Sequence, residues 1–152
     1  TAKQGFTGTA RWEYLSELKA LVSLPVIASG DLFMAEDGVR CLAETGVDTV
    51  MYARGALRDP AIFKAHLDLL AGREPEVADV STLLARIREH ARLARELSTE
   101  KVALLKMRTI VPRYVRHIEG SKQLRADIIA CRSWDDFEKA LRSFEAGKSS
   151  SE

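Results

Sequence analysis

Two short apolar runs, each released into a glycine turn, stand one helix-length apart: Pro25-Val-Ile-Ala-Ser-Gly-Asp31 and Asp48-Thr-Val-Met-Tyr-Ala-Arg-Gly-Ala-Leu57. Strands joined through a helix pair in parallel, so the pattern reads as a βαβ unit. Turns at the carboxyl ends of neighbouring parallel strands leave backbone N–H groups converging on one point, a geometry that suits an anion. In a (β/α)8 barrel the loops after the last two strands commonly hold a ligand's phosphate. The pair predicts both an α/β region and a phosphate-bearing ligand.

The rest of the chain narrows the partners. Its 152 residues, 46% of them apolar, can bury a real core as one domain or two small ones. Net charge is close to zero, but residues 1–78 carry 8 basic and 11 acidic side chains, whereas residues 79–152 carry 15 and 11. The basic half is the candidate for a polyanionic partner. Cys41 and Cys131 lie far apart, with no CxxC spacing and no ligand histidines beside them. This argues against a disulfide framework or a metal site and fits a reducing cytoplasm. No apolar run approaches a membrane span, and the first residues lack a signal-peptide core. The chain opens on Thr1 in a loop-like stretch, so the expectation is a longer protein with further chain upstream.

Periodicity organises the chain into two parts. Residues 1–9 read as a loop, and Trp12, Leu15, Leu18, Leu21 and Val22 mark a helix over 10–22. A strand at Val26–Ala28 is followed by the Gly30-Asp31 turn and a helix over 35–45 closed by Gly46. The second strand, Asp48–Tyr52, is apolar enough to be covered on both faces. Arg54-Gly55 then makes a turn, and Pro60 opens a helix that runs to Leu70. Residues 1–72 form this α/β portion, and the polar, proline-containing segment 73–78 is a linker.

Residues 79–147 read as purely helical. A helix over 80–97 is capped by Asp79 or Ser81, and the next, over 100–118, by a residue of Ser98-Thr-Glu100. Pro112 predicts a kink in the latter. Helices over 121–130 and from Ser133-capped Trp134 to Phe144 complete a bundle of about four, and 148–152 is expected to be a disordered tail.

Three groups of residues bear on chemistry. Ser29-Gly30 and Arg54-Gly55 offer free amides and a guanidinium to an anion, while the Asp31 carboxylate is expected to cap the segment that follows it. Between Lys101 and Arg125 stand seven basic side chains against one acid, Glu119. On a helix reaching residue 118, Arg113 and Arg116 would share a face, a stripe suited to RNA phosphates, with Tyr114 beside them to stack on a base. A solvated helix face is the plainer reading of the same residues. His66, His90 and His117 are expected to be structural or exposed, and Trp12, Tyr14, Phe63, Trp134 and Phe137 to lie in the core.

Together the segments Gln4–Trp12, Pro25–Leu32 and Val50–Phe63 resemble, in order and spacing, the end of the barrel of the tRNA-dihydrouridine synthases. Lys106-Met-Arg108 and Ile118-Glu-Gly-Ser-Lys-Gln-Leu-Arg125 resemble that family's C-terminal helical domain more loosely. The resemblance implies the last two βα units of a (β/α)8 TIM barrel followed by a small helical RNA-binding bundle. Its implied activity is flavin-dependent reduction of uridine to 5,6-dihydrouridine in tRNA, with FMN as cofactor, NADPH as reductant and tRNA as partner, in the cytoplasm. By the same carry-over Ser29, Gly30, Asp31, Ala53, Arg54 and Gly55 hold the FMN phosphate; from the basic stretch, Lys106, Arg108, Arg113, Arg116, Lys122 and Arg125 are expected to contact RNA, and the resemblance points the same way. Ala28-Ser29 stands where the family pattern has Gly-Asn, and Ala53 where it often has glycine. The family's catalytic cysteine belongs to the first half of the barrel, and neither Cys41 nor Cys131 matches it. The expectation is a stretch inactive by itself, without retained FMN, whose open strands need the rest of the barrel or a second copy. Two alternatives stay open: another phosphate-binding barrel enzyme, such as a different FMN oxidoreductase, and a non-catalytic RNA-binding module.

Overall fold

The computed structural model describes residues 7–149. These fall into two compact units, one ending at Glu76 and the other beginning at Val77. The start of the expected N-terminal loop, residues 1–6, and positions 150–152 of the expected disordered tail lie outside the described residues.

The first unit contains α1 (Glu13–Leu21), β1 (Ile27–Ala28), α2 (Ala35–Thr45), β2 (Thr49–Val50), α3 (Arg54–Arg58) and α4 (Ile62–Leu70). The two strands pair in parallel, Ile27 opposite Thr49 and Ala28 opposite Val50. Asp48 fixes this register: its carboxylate accepts the Val26 N–H and the Lys19 ammonium, each at 2.7 Å. Those two hydrogen bonds, the lysine's first, hold the Asp48 carboxyl below its ordinary pKa. At the entry to α2, Asp37 accepts the N–H groups of Phe33 (3.0 Å) and Met34 (2.9 Å). Val26, Ala28, Leu32, Ala35, Cys41, Val47, Tyr52 and Ile62 form the core.

That core covers one face of the sheet. Successive strand residues point to opposite sides, and the face opposite Ala28 carries Ile27, 61% exposed, with Met51 beyond β2 54% exposed. The second strand, expected to be covered on both faces, is covered by this chain on one face only, as expected of open strands that need the rest of a barrel or a second copy. Apolar composition registers a demand for cover without saying that this chain supplies it. A correction concerns Arg54-Gly55, which opens the short helix α3 rather than forming a bare turn. Tyr14 and Phe63, expected in the core, are half exposed.

The second unit is α5 (Val80–Glu96), α6 (Glu100–Tyr114), α7 (Lys122–Ala130) and α8 (Trp134–Ser149). Its caps follow the polar residues at the helix starts. Asp79 accepts the Thr82 N–H at 2.7 Å, Thr99 accepts that of Val102 at 3.4 Å, and Ser133 and Asp136 exchange hydrogen bonds at 3.0 and 3.1 Å. All four helices contribute to one continuous core, with Leu84, Ile87, Met107, Val111, Leu124, Ile128 and Leu141 at its centre.

Two helix ends differ from expectation. Although the apolar pattern continues to Ile118, α6 stops at Tyr114; Val115 is fully buried and Ile118 packs on the core from a turn. Pro112 weakens this end, because without an N–H it leaves the Arg108 carbonyl without its helical donor. Conversely, α8 runs through Lys148 to Ser149, so those two residues of the expected tail are helical.

Candidate functional site

A cavity of about 440 Å³ opens at the carboxyl ends of β1 and β2. Ser29, Gly30, Asp31, Ala53 and Arg54 all line it, so parallel pairing brings together five of the six positions expected to hold phosphate. The sixth, Gly55, is buried beneath it, where an added Cβ would lie 2.4 Å from the Leu32 carbonyl oxygen. Gly30 makes the close approach on the other side. Its φ of +128° disfavours any side chain, and a Cβ there would stand 2.8 Å from that of Ala10.

Asp31 behaves differently from its expected role as a cap. One carboxylate oxygen accepts the Ala10 N–H at 2.7 Å and the other accepts the Arg54 guanidinium at 2.8 Å. The residue thus ties the segment before α1 and the turn after β2 to the turn after β1, and capping falls to Asp37. Arg54 also lies over the Phe33 ring, 4.7 Å from its centroid, and Arg58 over the same ring at 4.5 Å. The Trp12 indole donates to the Gly30 carbonyl at 3.1 Å and locks the first turn to α1.

Sequence reasoning missed Arg11 and Tyr14, which add polar side chains to the cavity wall. The Arg11 guanidinium donates to the Tyr14 hydroxyl at 3.0 Å and lies 4.5 Å from its ring centroid. The signal was a spacing of three residues across a helix start. Two tyrosine–histidine pairs were also missed, because each joins different elements. The Tyr52 hydroxyl lies 2.8 Å from His66 Nδ1, and burial is the main cause that pushes its pKa up to about 12. Tyr114 meets His90 Nδ1 at 2.8 Å, and burial lowers the pKa of that histidine. Tyr114 is only 3% exposed, which overturns its expected role as a base-stacking platform.

The basic set divides in the same way. Lys106 and Arg113 are exposed on α6, Lys122 at the start of α7 and Arg116 in the turn between them. Arg113 and Arg116 therefore do not share a helix face as expected. Arg108 donates to the Ile129 carbonyl at 2.8 Å, and the Nε of half-buried Arg125 is shut away from solvent. Among the described residues, no cation from Lys101 to Arg125 has a carboxylate within ion-pair distance. The opposite holds for four arginines of α5 and α8. Arg88 pairs with Glu138 and Glu145, Arg92 with Glu89 and Glu96, Arg95 with Glu100, and Arg142 with Glu138.

Both cysteines are buried, and burial raises their thiol pKa values, the opposite of what a reactive thiolate needs. Among the described residues no three His, Cys, Asp or Glu side chains come together as metal ligands. No described helix is long and apolar enough to cross a membrane.

The dihydrouridine synthase family model matches residues 1–149. A Synechocystis protein named probable tRNA-dihydrouridine synthase 1 is 31% identical over 88% of this chain and 38% of its own length. A probable tRNA-dihydrouridine synthase of Aquifex aeolicus is 30% identical over 93% of this chain and 43% of its own. A rat protein named as like tRNA-dihydrouridine(16/17) synthase [NAD(P)(+)] is 36% identical over 58% of this chain. The chain spans about two fifths of the length of the two bacterial relatives.

Proposed function

Because the chain belongs to the dihydrouridine synthase family, we propose that it is the C-terminal part of an enzyme that reduces uridine to 5,6-dihydrouridine in tRNA. Its first unit supplies the last two βα units of a (β/α)8 barrel, and its second unit grips RNA. The observation that carries this reading is the cavity where the two parallel strands end, lined by both glycine turns. Its donor set fits a phosphate: the Ser29 hydroxyl and the backbone of Gly30, Asp31, Ala53 and Arg54, all on the cavity wall. Asp31 contributes through its backbone, since its carboxylate is occupied by Ala10 and Arg54. Gly55, which does not line the cavity, lets the turn after β2 pack closely against Leu32 and Phe33. Bound there, FMN would supply the hydride that saturates the uracil ring, with NADPH as its reductant, while the cysteine that protonates the ring lies outside this chain.

The exposed face bearing Ile27 and Met51 supports the barrel assignment, because inward-facing barrel residues require cover from other strands. Support for tRNA comes from the unpaired cations. Lys106, Arg113, Arg116 and Lys122 remain available to phosphates, whereas Arg108 and Arg125 contribute through the packing of α6 and α7. Another FMN oxidoreductase has no use for such a surface, and a bare RNA-binding module has none for the strand-end cavity.

The test is the nucleoside content of tRNA from cells that lack the gene. Dihydrouridine should fall, return with the native full-length gene, and return several-fold less with Arg113→Ala and Arg116→Ala combined. Unchanged dihydrouridine on deletion overturns the activity, and full restoration by the double variant removes the RNA role of these arginines.

A further inference from the structure

The charged side chains lining the strand-end cavity are Arg11, Asp31 and Arg54. Asp31 and Arg54 form an ion pair at 2.8 Å, so together they bring no net charge to the space they border. Arg11 has no carboxylate partner among the described residues; its partner is the Tyr14 hydroxyl, with the tyrosine ring beneath it. We infer that Arg11 supplies the net positive charge with which this cavity binds a phosphate monoester, and that Arg54 is a strut joining the two strand-end turns.

Three features support this division of labour. A guanidinium has five N–H donors, and Tyr14 takes one from Arg11, which leaves the others for an anion. The stacked contact with Tyr14 holds the long side chain in place, which lowers the entropy cost of binding. The Tyr14 hydroxyl, accepting from Arg11, keeps its own proton to donate, and the Ser29 hydroxyl stands on the same cavity. An anion approaching Arg54, in contrast, must compete with a carboxylate already at 2.8 Å. Arg54 retains a structural task, because Asp31 also holds the Ala10 N–H at 2.7 Å and so links three segments.

This inference rests on the reading of the cavity as a phosphate site, and one experiment separates the two. The thermal midpoint of the whole chain is measured in inorganic phosphate and in chloride at equal ionic strength, each variant against its own chloride baseline. Native chain should gain stability from phosphate, because a ligand that binds only the folded state stabilises it. Arg11→Gln should lose that gain. Asp31→Asn, which keeps an oxygen for the Ala10 N–H while releasing Arg54 from its counter-charge, should enlarge it. Absence of any gain in the native chain overturns the phosphate reading and the inference with it. A native gain that survives in Arg11→Gln and disappears in Arg54→Gln leaves the phosphate reading standing and overturns the assignment to Arg11.

Discussion

The two units solve the burial problem in opposite ways. Helices α5–α8 surround their own core, with Leu84, Ile87, Met107, Val111, Val115, Ile128 and Leu141 at 0% exposure. The first unit has a smaller core and leaves Leu21, Leu24, Ile27 and Met51 between 54% and 83% exposed. A four-helix bundle can close on itself with short connections, whereas a two-stranded parallel sheet has two unpaired edges and one face without cover. The contrast teaches that one half of this chain closes a core of its own, whereas the other leaves one face of its sheet open.

Separating the halves gives the largest expected effect. Residues 77–149 expressed alone should be monomeric in sedimentation and unfold in one cooperative transition. Residues 7–76 alone should self-associate through the exposed strand face, and the intact chain should do so through the same surface. A monodisperse 7–76 monomer would break the comparison, because it would mean that the open face needs no partner.

The first core leaves no room for a side chain beside one of its hydrogen bonds. In the first unit Gly38 of α2 faces the Tyr52–His66 pair, and a Cβ there would lie 1.9 Å from the tyrosine oxygen and 2.8 Å from His66 Nδ1. Alanine favours a helix interior over glycine by about 1 kcal/mol. Overpacking, at about 1–3 kcal/mol, and the disturbed buried hydrogen bond, at about 1 kcal/mol, outweigh that gain. Gly38→Ala should therefore destabilise the first unit by about 2 kcal/mol net. Each unit holds one tryptophan, Trp12 or Trp134, so denaturation followed by fluorescence in single-tryptophan variants should place the loss in the Trp12 transition alone. Equal loss in both transitions would show that the units unfold as one.

Legibility in the sequence follows the same division. Helices whose ends carry polar caps were readable, as at Asp79, Thr99 and Ser133, because the capping atom is local to the helix it starts. The parallel strands and the convergence of their turns were readable for the same reason. Periodicity misled where it tracked burial without tracking backbone. Val115 and Ile118 continue the apolar pattern of α6 from a turn, and this displaced Arg116 from the expected stripe. Contacts between distant segments left no local trace: Asp31 with Arg54, Tyr52 with His66, and His90 with Tyr114. The first of these decides how the candidate site is wired, so its location was legible and its division of roles was not.

The smallest effect tests whether the second unit, with its closed core, conceals a titratable weakness. His90 lies part-buried against Tyr114, and burial holds its pKa below the ordinary 6.5, so the folded state disfavours the charged ring. The unfolded chain then binds more protons than the folded one once pH falls below 6.5. Stability from this group is complete above that value and is lost progressively as pH drops through it to the lower folded pKa. The carboxylates of Glu89 and Glu138 are held below their ordinary 4.5 and lose their contributions only further down, which leaves the window above them to histidine. Urea unfolding of residues 77–149 between about pH 7.5 and about pH 5.5 should show a falling midpoint that His90→Gln flattens. A slope insensitive to His90→Gln would show that its burial carries no linkage, and that the bundle tolerates a charge where its core meets α5 and α6.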